Sequence, residues 1–134
     1  MFRYLLDTNV LSDLVRNPSG RAAQRIAVVG EATVCTSIVV ACELRYGAAR
    51  SGSSRLSARV AGLLQSFEIL PLDRDADRHY ADIRMHLERT GKPIGPNDLL
   101  IAAHALALDL ILVTHNVDEF ARVPRLALEN WLAS

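Results

Sequence analysis

A chain of 134 residues holds one domain, and half of it is hydrophobic, enough for a sizeable core. Only 5% is aromatic, so that core must come mainly from Leu, Val, Ile and Ala. Formal net charge is zero and the pI is about 6.9, so overall charge does not mark a partner of nucleic acid or membrane surface. Arginines and acids interrupt every apolar run, which excludes a helical membrane span. Of the fifteen basic residues only Lys92 is lysine, and high genomic GC content accounts for that bias more readily than phosphate pairing does. No positively charged leader precedes the first strand, and Cys35 and Cys42 lack C-x-x-C spacing or paired histidines. The expectation is a cytoplasmic protein with two reduced, buried thiols.

Tyr4-Leu5-Leu6 is a short apolar run that reads as a buried strand ending at Asp7. Thr8 and Asn9 are expected to cap a helix over 8–16, with Val10, Leu11, Leu14 and Val15 inward. Asn17-Pro18-Ser19-Gly20 ends it. A second helix spans 21–29, Gly30-Glu31 breaks it, and Ala32 to Thr36 is a β-prone run. Ser37 caps a helix over 38–49. Ser51 to Ser54 is a loop, and 55–67 is amphipathic helix. Glu68 to Leu72 is a third strand, closed by Pro71. A long helix follows over 73–89, with Ala76, Tyr80, Ile83 and Leu87 on one face. After an ordered connection, 97–108 is a helix dense in Leu, Ile and Ala. Leu110 to Thr114 is the strongest strand, 116–121 a short helix or turn, and Leu126 to Leu128 an edge strand, with Trp131 near the end. Strands alternating with helices predict βαβ units: a three-layer α/β/α fold around a mainly parallel sheet of four to five strands, as one domain over 1–134.

In such a sheet the ligand crevice lies beyond the carboxyl ends of the strands, where Asp7 falls. One aspartate after one strand is also an ordinary cap, so partners decide the matter. Glu43 shares a helical stripe with Val39, Val40, Tyr46 and Gly47, and an unpaired carboxylate on an apolar face is costly. The plainer alternative is a rim position whose head reaches water. Asp98 falls in the first turn of the most apolar helix, where an acid is ordinary on dipole grounds but is also aimed at the sheet. Thr114-His115-Asn116-Val117-Asp118-Glu119 follows the strongest strand as Asp7 follows the first. Asp7, Glu43, Asp98 and an acid at 118 or 119 thus converge on one crevice. Their mutual repulsion raises their pKa values, and a hard divalent cation, magnesium or manganese, relieves it. Such a centre activates water and shields a phosphodiester. His79 and His86 read as a solvated face, His104 as a core-edge histidine and His115 as a bystander.

These motifs carry a resemblance. Leu5-Leu6-Asp7-Thr8-Asn9, Ser37 through Glu43-Leu44-Arg45-Tyr46-Gly47-Ala48, Ile94-Gly95-Pro96-Asn97-Asp98-Leu99-Leu100-Ile101-Ala102-Ala103 and Val113-Thr114-His115-Asn116 with Phe120 resemble a bacterial PIN domain. More closely, the chain resembles the VapC toxins of type II toxin–antitoxin systems over essentially its whole length. Each motif is weakly specific alone; four in order are a strong joint signal. The resemblance implies a magnesium-dependent endoribonuclease that cuts structured RNA such as tRNA or rRNA and arrests translation. It implies Asp7 and Asp98 as principal metal ligands and Glu43 as a third acid of the centre, acting directly or through water. Thr8, Asn9, Thr114 and Asn116 would support them. It also implies a cognate VapB antitoxin that covers the site, a toxin homodimer and a larger toxin–antitoxin hetero-oligomer. The family commonly has aspartate three residues after the asparagine of the fourth motif; here that position is Glu119, with Asp118 as rival, and one or two metal ions fit either.

Two other readings stand beside this one. A receiver-like or phosphatase-like magnesium-binding α/β domain also uses acids at strand ends, but a receiver wants a lysine after a late strand, and Lys92 precedes a helix. A catalytically inactive PIN-like binding module would be favoured by loss of a central acid, and three are intact.

Overall fold

The computed structural model describes residues 1–133; Ser134, the last residue of the expected domain, lies outside the described residues. The apolar run forms β1 (Tyr4–Leu6), with all three residues buried, as a strand covered on both faces requires. β2 (Val34–Ser37), β3 (Glu68–Leu70), β4 (Ile111–Val113) and β5 (Leu128–Glu129) complete a five-stranded sheet of order β3-β2-β1-β4-β5. Every pairing is parallel, and Leu6 lies between Thr36 and Val113. The α-helices of the described residues are α1 (Thr8–Arg16), α2 (Arg21–Val29), α3 (Ile38–Ser51), α4 (Ser54–Gln65), α5 (Ala76–Arg89), α6 (Pro96–Ala107) and α7 (Val117–Phe120). The α/β/α expectation therefore holds, with every strand parallel.

The strand order positions the site. The chain adds β2 and β3 on one side of β1, then returns to add β4 and β5 on the other. Right-handed crossovers thereby put α1–α4 against one face and α5–α7 against the other. The direction reverses between β1 and β4, so a crevice opens at their carboxyl ends. Beneath it Leu5, Leu6, Val10, Leu11, Ile101, Leu112 and Phe120 are fully buried.

The boundaries differ from the sequence expectation where local polar contacts intervene. Glu31–Thr33 is a 3-10 turn, not strand, because the Thr33 hydroxyl bonds the Gly30 carbonyl at 2.8 Å; the strand starts at Val34 and includes Ser37. α3 runs on to Ser51 and stops at Gly52, whose φ of 71° is a left-handed cap that glycine adopts without strain. Ser53 then caps α4, which ends at Gln65, two residues before Phe67. β3 ends before Pro71. α5 begins only at Ala76, because Asp75 sits at φ 75°. β5 is displaced to Leu128–Glu129.

Three burial expectations are corrected. Cys35 is buried but Cys42 is exposed. The buried face of α3 is Val40, Ala41, Leu44 and Ala48, while Tyr46 is 66% exposed. Small alanines make the packing stripe, and Glu43 lies at its edge, not in its middle. His104 is also deeper than expected: it is 1% exposed, inside the core and not at its edge.

Candidate active site

Asp7 sits where β1 ends and α1 begins, and it is only 3% exposed. It is itself the N-cap of α1: its Oδ1 accepts from the Thr8 amide at 2.8 Å. The expected capping by Thr8 and Asn9 side chains does not occur, because both reach other partners. Asp7 Oδ2 accepts from the Thr114 hydroxyl at 2.7 Å and from Asn9 Nδ2 at 3.3 Å. Thr114 closes β4, so this bond ties the two strands at the switch point. Its hydroxyl also accepts from Asn9 Nδ2 at 3.4 Å and the Asn116 amide at 3.0 Å, which uses its one donor and both lone pairs. Asn9 is oriented by the His115 amide, which donates to its Oδ1 at 3.0 Å. Asn116 contributes through its backbone N–H.

Glu43, half-buried on α3, is clamped from two sides. Thr8 Oγ1 donates to its Oε1 at 2.7 Å, and Asn97 Nδ2 donates to its Oε2 at 3.3 Å. Asn97 is a residue that reading the acids alone misses; its signal is its place beside Asp98 in the Gly95-Pro96-Asn97-Asp98 motif. Glu119 on α7 faces the same crevice: its Oε1 accepts from the Gly95 amide at 3.2 Å, and its side chain bonds Asp98. Asp118 is exposed and lines a different cavity, with Lys92 and Arg122.

The electrostatics follow from this crowding. Burial, then the charge of Glu119, then that of Asp7, push the Asp98 carboxyl up to about 7; its hydrogen bond with Glu119 and the charge of Glu43 add to the shift. Burial also raises Asp7, while the bonds from Thr114, Thr8 and Asn9 oppose that rise. Among the described residues no arginine or lysine pairs with any of these acids; the ion pairs are Arg78–Asp75 and Arg84–Glu88, on the exposed side of α5.

Four carboxylates with oxygen donors only, and no counter-cation, suit a hard divalent ion. Among the described residues no group of three or more acids, histidines or cysteines stands close enough together to hold a metal ion. Magnesium does not require one, since it is usually held by one or two carboxylates and retained waters.

A second polar pair lies nearby. His104 Nδ1 meets Ser37 Oγ at 2.8 Å, and both residues are buried. Ser37 Oγ also accepts from the Val39 amide and caps α3. Burial lowers the His104 pKa, and the Pro71 carbonyl offsets only part of that shift. The other ring nitrogen of His104, Nε2, is buried and has no hydrogen-bond partner among the described residues.

Fold and switch point thus define a parallel α/β domain with an acidic crevice. The PIN domain family pattern matches residues 4–126. The chain is 36% identical over 132 residues to the tRNA(fMet)-specific endonuclease VapC of Salmonella typhimurium, covering 98% of this chain and 99% of that relative. It is 35% identical over 130 residues to ribonuclease VapC2 of Rickettsia felis, covering 96% and 97%. The crystal structure of VapBC2 from Rickettsia felis, bound to a DNA fragment from its promoter, superposes with a TM-score of 0.91 at 32% identity, covering 97% and 99% of the two chains. The chain belongs to the PIN domain family and, within it, to the VapC ribonucleases.

Proposed function

We propose that this chain, read as one PIN domain over 1–134, is the toxin of a type II toxin–antitoxin system. It is a metal-dependent endoribonuclease that hydrolyses RNA phosphodiester bonds and so inhibits translation. The observation that carries the reading is the convergence of Asp7, Glu43, Asp98 and Glu119 on one crevice with no cation to balance them. The VapC relatives support the RNA substrate, with tRNA as the first class to test.

Asp7 and Asp98 would hold magnesium, or manganese in its place. The bound ion would supply a water of lowered pKa and charge compensation at the phosphoryl oxygens. The protein's own part is placement. Thr114, Asn9 and the Thr8 amide keep Asp7 fixed and aimed into the crevice. Thr8 and Asn97 hold both oxygens of Glu43 and so fix where it would accept a water's proton. The Gly95 amide steadies Glu119 against Asp98.

The relatives solved as VapBC complexes support a VapB-type antitoxin as partner. A cytoplasmic place, a homodimer and a toxin–antitoxin hetero-oligomer belong to the same reading. No helix among the described residues is long and apolar enough to cross a membrane.

The test is cleavage of unfractionated tRNA by purified chain with magnesium, with EDTA, and with Asp7→Ala. Cleavage by wild type with magnesium alone is expected. Equal cleavage by Asp7→Ala would sink the assignment. In cells, expression should arrest growth, and co-expression of the neighbouring small open reading frame should relieve it; harmless expression would count against a toxin.

A further inference from the structure

Zero net charge and an acidic crevice leave a polyanionic substrate to be held by local cations. A cavity of about 340 Å³ brings two of them, Lys92 and Arg122, together, and His86, Thr90, Asp118 and Ala121 complete its lining. Its two cations come from separate segments, Lys92 from the connection to α6 and Arg122 from two residues beyond α7, and His86 joins them from the C-terminal turn of α5. Tertiary folding therefore assembles the cluster, and no run of basic sequence announces it.

The cavity shares a wall with the acidic crevice. Arg122 Nη1 donates to the Pro93 carbonyl at 3.1 Å, and its amide donates to the Glu119 carbonyl at 3.2 Å. Two residues on, the Gly95 amide donates to Glu119 Oε1 at 3.2 Å. The 93–95 connection is thus gripped by the arginine on one side and by the crevice glutamate on the other. α7 presents adjacent acids to the two places, Asp118 to the cavity and Glu119 to the crevice. One of the five guanidinium N–H groups of Arg122 is used by Pro93, which leaves donors for a ligand. The Lys92 side chain has no hydrogen bond or ion pair among the described residues and is exposed. Cations with unspent donors in a concave site suit an oxyanion.

Resting on the ribonuclease reading, we propose that this cavity holds a backbone phosphate of the RNA flanking the bond that is cut, with Lys92 and Arg122 as donors and Asp118 restraining the affinity. The anchored phosphate registers the strand across the 93–95 wall, so that the neighbouring phosphodiester lies over the acids. Binding here is sequence-independent and adds hold without adding chemistry.

The test is binding of unfractionated tRNA to the full chain in EDTA, across a salt series, for wild type, Lys92→Ala, Asp118→Asn and Arg74→Ala. Arg74, before the opposite end of α5, is the control. Lys92→Ala should weaken binding about fivefold and lower the log–log salt slope by about one unit, with a smaller change in Arg74→Ala. Asp118→Asn should tighten binding, which a folding defect does not mimic. With magnesium present, Lys92→Ala should raise KM at unchanged kcat. Wild-type binding with Lys92→Ala and Asp118→Asn indistinguishable from it would overturn the proposal and leave the ribonuclease reading intact. So would a collapse of kcat in Asp118→Asn, which would move Asp118 to the metal centre. Thermal stabilisation by inorganic phosphate that Lys92→Ala removes, with tRNA binding unaltered, would assign the cavity to free phosphate and also overturn it. If wild type neither binds nor cuts RNA, the ribonuclease reading falls and takes the proposal with it.

Discussion

Two polar clusters lie along the carboxyl edge of the same sheet, and they have opposite character. At the end of β2, Ser37 and His104 face each other at 2.8 Å, buried, one hydroxyl against one ring nitrogen. The ring Nδ1 meets the hydroxyl, burial favours the neutral histidine, the buried Nε2 is left without a hydrogen-bond partner among the described residues, and Ser37 caps α3. At the ends of β1 and β4, acids outnumber the cations available to them. Thr8, Asn9, Asn97, Thr114 and the Gly95 amide supply hydrogen bonds, yet among the described residues no arginine or lysine forms an ion pair with the four acids. A protein tolerates the first kind of cluster for stability. The second kind is tolerated for what it binds, because unmatched negative charge costs stability until a cation arrives.

The sharpest way to break that contrast is to remove one acid. Asp98→Asn should cut RNA cleavage on the order of 1000-fold, as loss of a principal electrostatic group does. The same substitution should raise the thermal midpoint of the metal-free chain, since it removes a charge that Glu119, Asp7 and Glu43 repel. Loss of activity together with loss of stability would make Asp98 an ordinary first-turn acid.

Next in size is the clamp on Glu43. Asn97→Ala removes one of its two donors and should lower kcat about tenfold to a hundredfold, the usual scale for partners that orient a functional carboxylate. The fold should be unchanged by circular dichroism, since Asn97 is exposed. Activity at the wild-type level would show that Thr8 alone holds Glu43.

The neutral cluster should behave in the opposite way. His104→Leu leaves the Ser37 hydroxyl without its ring partner and should cost about 1–3 kcal/mol in urea unfolding. Cleavage per folded molecule should stay at the wild-type level. A specific loss of kcat would mean that Ser37 and His104 take part in the chemistry.

The smallest effect is a change in pH profile. Asp98 titrates near 7 in the folded chain and in the ordinary carboxylate range, near 4, when unfolded. Its folded pKa is raised, so its contribution is fully present below about 4 and is lost as pH rises through about 7. The metal-free chain should therefore melt at lower temperature at pH 8 than at pH 5.5. Magnesium should stabilise it more at pH 8, because the ion replaces the proton. A magnesium effect independent of pH would separate Asp98 from the metal.

Much of the fold was legible locally. α1 and α2 fall on the expected residues because Asn-Pro-Ser-Gly punctuation and 3.6-residue spacing are both short-range signals. β1 and β4 were legible for the same reason, as apolar runs too short for helices. Misplaced boundaries cluster where one side-chain hydrogen bond or one left-handed residue decides, as at Thr33, Gly52 and Asp75. The face of α3 was misread because two alanines, Ala41 and Ala48, pack inward while Tyr46 turns to solvent.

The alternation of strands and helices, the parallel sheet they require, and the four motifs that resemble a PIN domain are all readable along the chain. Those are matters of composition and spacing along the chain. Which polar groups meet is a matter of packing. The reversal of strand order between β1 and β4 brings Thr114 against Asp7, 107 residues apart in sequence. It also sets Asn97 against Glu43 and turns Glu119 toward Asp98 while its neighbour Asp118 faces Lys92 and Arg122. Adjacent acids look alike in a sequence, and on a helix they point about 100° apart, so the crevice each one enters is settled by packing.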